Sequence, residues 1–221
     1  RMVQRTEVLQ RLLAWKYEQV IKVVTGLRRC GKSTLLKQYQ ELLRETGVLE
    51  EQIISINFEE MEYEHRLDYK SLYAYLKDRL CEGRMTYIFL DEIQKVVSYE
   101  KVVDSLFVKD NTDIYITGSN AYMLSGDLAT LLTGSYIALP MLPLSLKEYC
   151  EATSLQPDAA FAEYQKNGGL PYIAMMEKTP EKVDTYLEGI YNTIIIKDIE
   201  DRQRRKERDP NKRKITDIAL L

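Results

Sequence analysis

The sequence predicts an α/β fold built on a parallel β-sheet, and three observations lead to this prediction. Short segments rich in β-branched residues alternate with amphipathic helical segments through the first part of the 221-residue chain. A glycine-containing loop joins the first of these strands to a helix. Polar residues follow directly after several strands, which is where parallel sheets bind their ligands.

Five apolar segments have the length and composition of buried strands. Because helical segments separate the first four of them, the strands are expected to run parallel, with their carboxyl ends at one edge of the sheet. Pro140 is expected to stop the fifth strand. The predicted strands are residues 21–25, 53–58, 87–90, 114–117 and 136–139.

Helices are predicted where apolar residues recur at intervals of three and four. One covers residues 6–18, before the first strand, and those between the strands cover residues 35–43, 69–80 and 102–108. From residue 143 onward no strand is predicted, and the expected helices cover residues 145–150, 158–166 and 181–201.

This change of character predicts two domains, a core over residues 1–142 and a small helical lid over residues 143–221. The lid region is expected to include the start of a further C-terminal domain. Residues 215–221 form an apolar helical pattern with no stop signal, which predicts that the natural protein continues.

The loop after the first predicted strand matches the phosphate-binding pattern GxxxxGK[ST]. Its glycines let several backbone N–H groups converge on a phosphate, and the following helix directs its positive end at the anion. Lys32 is predicted to contact the β- and γ-phosphates and Ser33 to ligate Mg²⁺. The predicted nucleotide-binding residues are Gly26, Leu27, Arg28, Arg29, Cys30, Gly31, Lys32, Ser33 and Thr34.

Two carboxylates, Asp91 and Glu92, follow the third predicted strand directly. A buried carboxylate is costly unless a metal or hydrogen bonds compensate for its lost hydration. Asp91 is therefore predicted to hold Mg²⁺ through water, and Glu92 to orient and polarise the attacking water as a general base. A strand that ends in acids is common, so this interpretation depends on the phosphate loop.

The next predicted strand ends in Gly118-Ser119-Asn120. A polar side chain there can contact the γ-phosphate or the attacking water. Ser119 and Asn120 are both candidates, and Asn120 is taken as the predicted catalytic residue. The same residues are also common in simple turns.

Two features favour ATP over other nucleotides. The predicted strand 53–58 separates the loop strand from the acidic strand, and the second acid, Glu92, is present. Both disfavour a GTPase or a small-molecule kinase and favour the division of phosphate-loop proteins in which a glutamate activates water. No guanine-reading NKxD motif is present, so ATP and Mg²⁺ are the expected ligands.

Composition argues against several other classes of protein. The three cysteines lack CxxC spacing and His65 is the single histidine, which disfavours a disulfide framework and a zinc site. Cys30 lies inside the phosphate loop, where an ordinary reduced thiol is favoured over a redox switch. No apolar run spans a membrane and the N-terminus has no signal core, so a cytoplasmic location without membrane contact is expected.

The net charge of −3 is unevenly distributed along the chain. Residues 202–214 hold eight Lys or Arg and two acidic residues, so the remainder is acidic. A solvated helical face is the favoured interpretation. A nucleic-acid-associated ATPase is the open alternative, although the run lacks the interleaved aromatics that stacking on single strands needs.

Seven motifs together resemble a known family. They are residues 21–34, 89–94 (FLDEIQ), 117–120 (TGSN), 124–126, 131–134, 142–145 (LPLS) and 168–171 (GGLP). They resemble prokaryotic AAA-type P-loop ATPases that carry a C-terminal domain of unknown function, and the resemblance covers nearly the whole chain. It implies an AAA-like core of five parallel strands, a helical lid and a C-terminal domain outside this chain.

The chain departs from the family pattern at Ser135, where members often have an arginine. Such an arginine can stabilise the transition state in a neighbouring subunit, with an effect of about 10³ to 10⁵ on rate. Arg28 and Arg29 are candidates to replace it in cis. Mg-dependent ATP hydrolysis coupled to a conformational change is the leading prediction, and a slow nucleotide-dependent binding switch is the alternative. A homo-oligomer, a protein partner and the C-terminal domain in cis are open as partners.

Overall fold

The computed structural model describes residues 3–119, 132 and 135–208. The five strands are β1 (Ile21–Gly26), β2 (Ile53–Asn57), β3 (Thr86–Asp91), β4 (Thr112–Ser119) and β5 (Tyr136–Met141). The helices are α1 (Thr6–Ala14), α2 (Lys32–Glu45), α3 (Tyr69–Lys77), α4 (Tyr99–Phe107), α5 (Leu146–Thr153), α6 (Pro157–Asn167), α7 (Pro171–Met175) and α8 (Pro180–Arg208). Three short 3₁₀ helices cover Glu50–Gln52, Met61–Arg66 and Ile93–Lys95.

The strands form one parallel sheet in the order β2-β3-β4-β1-β5. This confirms the predicted five-stranded parallel sheet with its flanking helices. The strand β4 lies between β1 and β3, so the ends of β1 and β3 are two strands apart. The phosphate loop after β1 and the acidic pair at the end of β3 therefore lie at the same edge.

Both faces of the sheet are covered by apolar side chains. Along β3, Tyr87 and Phe89 pack on the side of α1 and α2, and Ile88 and Leu90 pack on the side of α3 and α4. Successive residues of a strand point to opposite faces, so a strand buried on both faces is apolar at every position. This explains why the strands appear in the sequence as continuous apolar runs.

Pro140 does not end the fifth strand, and that prediction is wrong. The strand β5 continues to Met141, with Pro140 opposite Thr25 of β1. Among the described strands β5 lies at the edge of the sheet and pairs with β1 alone, so a residue without an N–H group is tolerated there. Its position in the sheet, which the local sequence does not reveal, accounts for the difference.

A buried ion pair lies at the amino end of the central strands. Lys22 Nζ is 2.6 Å from Asp113 Oδ1, and both side chains are almost completely buried. Asp113 Oδ2 also accepts a hydrogen bond from the Tyr115 hydroxyl at 2.9 Å. This pair is at the opposite end of β1 from the phosphate loop.

The chain divides into two compact units, residues 1–175 and 176–221. In the first unit, α5 to α7 share a small apolar cluster that includes Leu144, Tyr149 and Ala174. In the second, α8 is a single helix of 29 residues. Among the described residues from 143 onward the structure has helices and no strand, as expected, and adds the short helix α7, which was not predicted. The division into domains 1–142 and 143–221 stays a prediction. None of the described helices is long and apolar enough to cross a membrane.

Candidate nucleotide-binding site

The phosphate loop begins at Gly26, the last residue of β1. A Cβ atom at Gly26 would lie 2.4 Å from the carbonyl oxygen of Met141 and 2.8 Å from Cys30 Sγ. Both distances are shorter than real Cβ contacts, and the first involves backbone that cannot move aside easily. Glycine is therefore required for β1 to turn into the loop beside the end of β5.

The loop ends at Gly31, which precedes the first residue of α2. Gly31 has a φ of +100°, a left-handed conformation that favours glycine. Arg29 is also left-handed, with a φ of +64°. This backbone path leads into the N-terminus of a 14-residue helix, which favours an anion in front of it.

Lys32 is the first residue of α2 and its side chain is directed back across the loop. Lys32 Nζ donates to the carbonyl oxygens of Gly26 and Leu27, both at 3.3 Å. It also lies 3.6 Å from Glu92 Oε1. The lysine is only 5% exposed, so its ammonium group lies inside the loop and not in solvent.

Asp91 is the last residue of β3 and is buried beside the start of α2. Burial raises the pKa of the Asp91 carboxyl above its usual range, and hydrogen bonds from Ser33 and Thr117 partly oppose this increase. The Thr117 hydroxyl donates to Asp91 Oδ1. A desolvated carboxylate in contact with a serine hydroxyl is a donor set suited to a hard cation.

Glu92 follows Asp91 in a left-handed conformation, with φ of 56° and ψ of 44°. A non-glycine residue in this region carries strain, which often marks a functional position. Its N–H donates to Thr117 Oγ1 at 3.0 Å, and its Oε2 accepts from Gln94 Nε2 at 2.5 Å. The carboxylate is therefore held between Gln94 on one side and Lys32 on the other.

Three residues that contact the site had no role predicted from the sequence, although two of them lie in motifs quoted above. Thr117 connects Asp91 and Glu92, Gln94 holds Glu92, and Arg5 donates to the carbonyl of Cys30 in the loop at 3.1 Å. A threonine inside an apolar strand was a weak signal for the first. The sequence contained no signal for Arg5, because its contacts are made across the fold.

The structure brings together Gly26, Gly31, Lys32, Ser33, Asp91 and Glu92. Arg28 instead pairs with Glu59 at 3.0 Å on the surface, and Arg29 is exposed. Cys30 is buried, and burial raises the pKa of its thiol, which fits an ordinary reduced cysteine. Asn120 lies outside the described residues, as do the 124–126 and 209–221 segments; for Ser119 only the backbone, at the end of β4, is described.

Ser135 lies at the amino end of the strands, whereas the phosphate loop lies at their carboxyl end. Its carbonyl oxygen accepts from the N–H of Ile21, the first residue of β1, at 2.9 Å. Along β1, Gly26 lies five residues after Ile21, which is about 16 Å at the usual rise per residue. A side chain at position 135 is thus remote from the loop of its own chain.

In this sheet β1, which is followed by the phosphate loop, lies between β4 and β5. This arrangement is the α/β fold of the P-loop class. The model of the AAA domain family matches residues 18–150. The chain belongs to this family of AAA-type P-loop ATPases, as its motifs predicted.

Similar proteins include two curated relatives and a solved structure of an archaeal ATPase. An uncharacterized protein of Haemophilus influenzae is 40% identical over 90% of this chain and 50% of its own length. An uncharacterized protein of Methanocaldococcus jannaschii is 29% identical over 80% of this chain and 42% of its own length. The chain thus spans about half the length of these relatives. The Walker-type ATPase of Pyrococcus abyssi has a similar fold, with a TM-score of 0.62 at 15% identity, covering 93% of this chain and 77% of that one.

Proposed function

We propose that the protein binds ATP with Mg²⁺ and hydrolyses it to ADP and phosphate. The observation that carries the proposal is the contact between Lys32 and Glu92, at 3.6 Å, beside the pair of Ser33 and Asp91. A cation, a hydroxyl and two carboxylates thereby meet at the start of α2 and the end of β3. These are the groups that phosphoryl transfer to water requires.

Lys32 and the loop backbone would bind the phosphates. The ammonium group already lies within the loop, bonded to two of its carbonyl oxygens. A phosphate oxygen is a stronger partner for it than a neutral carbonyl. Binding would therefore draw Lys32 away from Glu92 and leave that carboxylate available for water.

Ser33 and Asp91 fit a magnesium ion. Mg²⁺ prefers oxygen ligands and usually takes one or two protein oxygens, with phosphate oxygens and waters completing its shell. Among the described residues there is no group of three or more acidic, histidine or cysteine ligands, and this mode of binding does not need one. The ion would supply charge stabilisation on the transferring phosphoryl group.

Glu92 is the proposed general base. Its carboxylate is only about one tenth exposed and is fixed by Gln94, so it can accept a proton from a water that is aligned with the γ-phosphate. Asn120 or Ser119 would contact that water or the γ-phosphate from the end of β4, as predicted from the sequence.

A nucleotide-dependent switch is the second candidate, and the packing of α7 favours it. An added Cβ at Gly31 would lie 3.7 Å from Cγ of Pro171, so the first residue of α7 is close to the phosphate loop. A change in the loop on nucleotide binding would therefore alter the packing of α7 against it. The nucleic-acid alternative stays a prediction, because side chains of the basic run 202–214 lie outside those described.

The test is nucleotide binding and phosphate release by the purified protein with Mg²⁺. Lys32→Ala should lose nucleotide binding, and Lys37→Ala is the matched control, since Lys37 is an exposed lysine on the same helix. Tight binding with negligible phosphate release by the unmodified protein would favour the switch. Absence of nucleotide binding would refute both candidates.

A further inference from the structure

Arg5 is a buried arginine that connects three separated segments of the chain. It immediately precedes α1 and is only 4% exposed. Its Nη1 donates to the carbonyl oxygen of Cys30 at 3.1 Å, and its Nη2 donates to that of Leu142 at 2.8 Å. Its Nε donates to Glu148 Oε1 at 2.9 Å. One guanidinium thus links the phosphate loop, the chain after β5 and helix α5.

Glu148 ties this arginine to the beginning of α5. Its other oxygen, Oε2, accepts from the N–H of Ser145 at 2.8 Å, and Ser145 Oγ accepts from the N–H of Glu148 at 3.3 Å. This reciprocal arrangement caps the helix. The position of the Arg5 side chain is therefore fixed by the same carboxylate that starts α5.

The contact with Cys30 has a consequence for the phosphate-binding face of the loop. A trans peptide is planar, so its N–H points away from its C=O. Holding the Cys30 carbonyl toward Arg5 therefore directs the N–H of Gly31 to the opposite side. Backbone N–H groups of such a loop are the donors that bind phosphate oxygens.

We infer that Arg5 is a positioning residue for nucleotide binding: it orients the Cys30–Gly31 peptide and, through Glu148, couples the loop to helix α5. The inference rests on the proposed nucleotide binding but adds a residue that the loop motif does not contain. A merely structural role for Arg5 would change the melting temperature and leave the nucleotide affinity of the folded protein unchanged.

The experiment compares Arg5→Lys with the unmodified protein and with Asp113→Asn. Lysine keeps the charge but cannot bond Cys30, Leu142 and Glu148 at the same time. Asp113→Asn is the matched control, because it disturbs a buried ion pair at the other end of β1. The dissociation constant for Mg-ADP is measured by calorimetry at a temperature where all three proteins are folded, and melting temperatures are recorded separately.

We expect Arg5→Lys to weaken the affinity for Mg-ADP by about tenfold, the size of effect that a hydrogen bond from a charged donor provides. Asp113→Asn should melt earlier and keep the affinity of the unmodified protein. Equal affinity in Arg5→Lys and the unmodified protein would overturn the inference and leave the proposed function intact.

If Arg5→Lys does not fold, Glu148→Gln gives the same test with a smaller change. It keeps the shape of the side chain and removes the charge that holds Arg5, so weaker Mg-ADP binding is expected. Unchanged affinity in that variant would overturn the coupling. If the unmodified protein bound no nucleotide, the proposed function would fail and the inference with it.

Discussion

Lys32 Nζ lies 3.6 Å from Glu92 Oε1, so the cation of the phosphate loop and the acid after β3 form an ion pair across the site. In the proposed reaction these two groups have different partners, a phosphate for the lysine and a water for the glutamate. In that reaction the pair separates when nucleotide binds. The ion pair would thereby connect nucleotide binding to the release of the proposed general base.

Gly26→Ala should destabilise the protein and abolish nucleotide binding. The added methyl would meet the backbone oxygen of Met141 at 2.4 Å, and shifting that backbone costs about 1–3 kcal/mol. Urea unfolding and nucleotide titration measure the two effects. Gly189→Ala is a useful comparison, because a Cβ there meets nothing within 4 Å and the backbone of α8 accepts alanine without strain. Normal nucleotide binding by Gly26→Ala would contradict the loop geometry.

Asp91→Asn should stabilise the fold and remove the dependence of binding on Mg²⁺. Burial raises the pKa of Asp91, so the folded state binds its proton more tightly than the unfolded state does. The stability that this group contributes is therefore full below the usual aspartate range and is lost as pH rises through the raised folded pKa. At neutral pH the burial of this charged carboxylate lowers the stability of the folded state, and asparagine avoids that loss.

Thermal melting from pH 4 to pH 8 tests this prediction. Asp91→Asn should melt higher than the unmodified protein at the neutral end, with the difference shrinking toward the acidic end. A variant that melts lower at neutral pH would show that Asp91 stabilises the fold, against the account given for it.

Gln94→Ala should lower the turnover number with little change in KM. Gln94 Nε2 holds Glu92 Oε2, and Gln94 Oε1 is buried without a hydrogen-bond partner among the described residues. Without this hydrogen bond Glu92 is less well oriented. The turnover number should fall about tenfold, the usual effect of one hydrogen bond to a charged group. Steady-state phosphate release measures it, with Val97→Ala as an exposed control nearby. A rise in KM alone would instead assign Gln94 to nucleotide binding.

The positions of the phosphate loop and the acidic pair at the ends of β1 and β3 were predictable, because each segment is contiguous in the sequence and follows a strand. Thr117 and Arg5 were not, since their roles arise from contacts with Asp91 and Cys30 that only the folded sheet creates. The wrong expectation for Pro140 has the same origin. Whether a proline ends a strand depends on which neighbours that strand has, and sheet order is a property of the whole fold.

Lys22→Ala should unfold the protein more easily without affecting the nucleotide site. Removing one partner of a buried ion pair leaves the other charge uncompensated, at a cost of about 3–5 kcal/mol. Asp113 would be the stranded group, although the Tyr115 hydroxyl would still bond it. Urea unfolding gives the change in stability, and Mg-ADP titration of the folded variant should match the unmodified protein. Weakened binding would show that the two ends of β1 are coupled.

The most direct test of the account is Glu92→Gln, measured by ATP binding and by phosphate release with Mg²⁺. The glutamine keeps the shape of the side chain but cannot accept the proton. We expect ATP binding at least as tight as in the unmodified protein, with phosphate release slower by about 10²- to 10⁴-fold. Phosphate release at the rate of the unmodified protein would contradict the assignment of Glu92 as the general base.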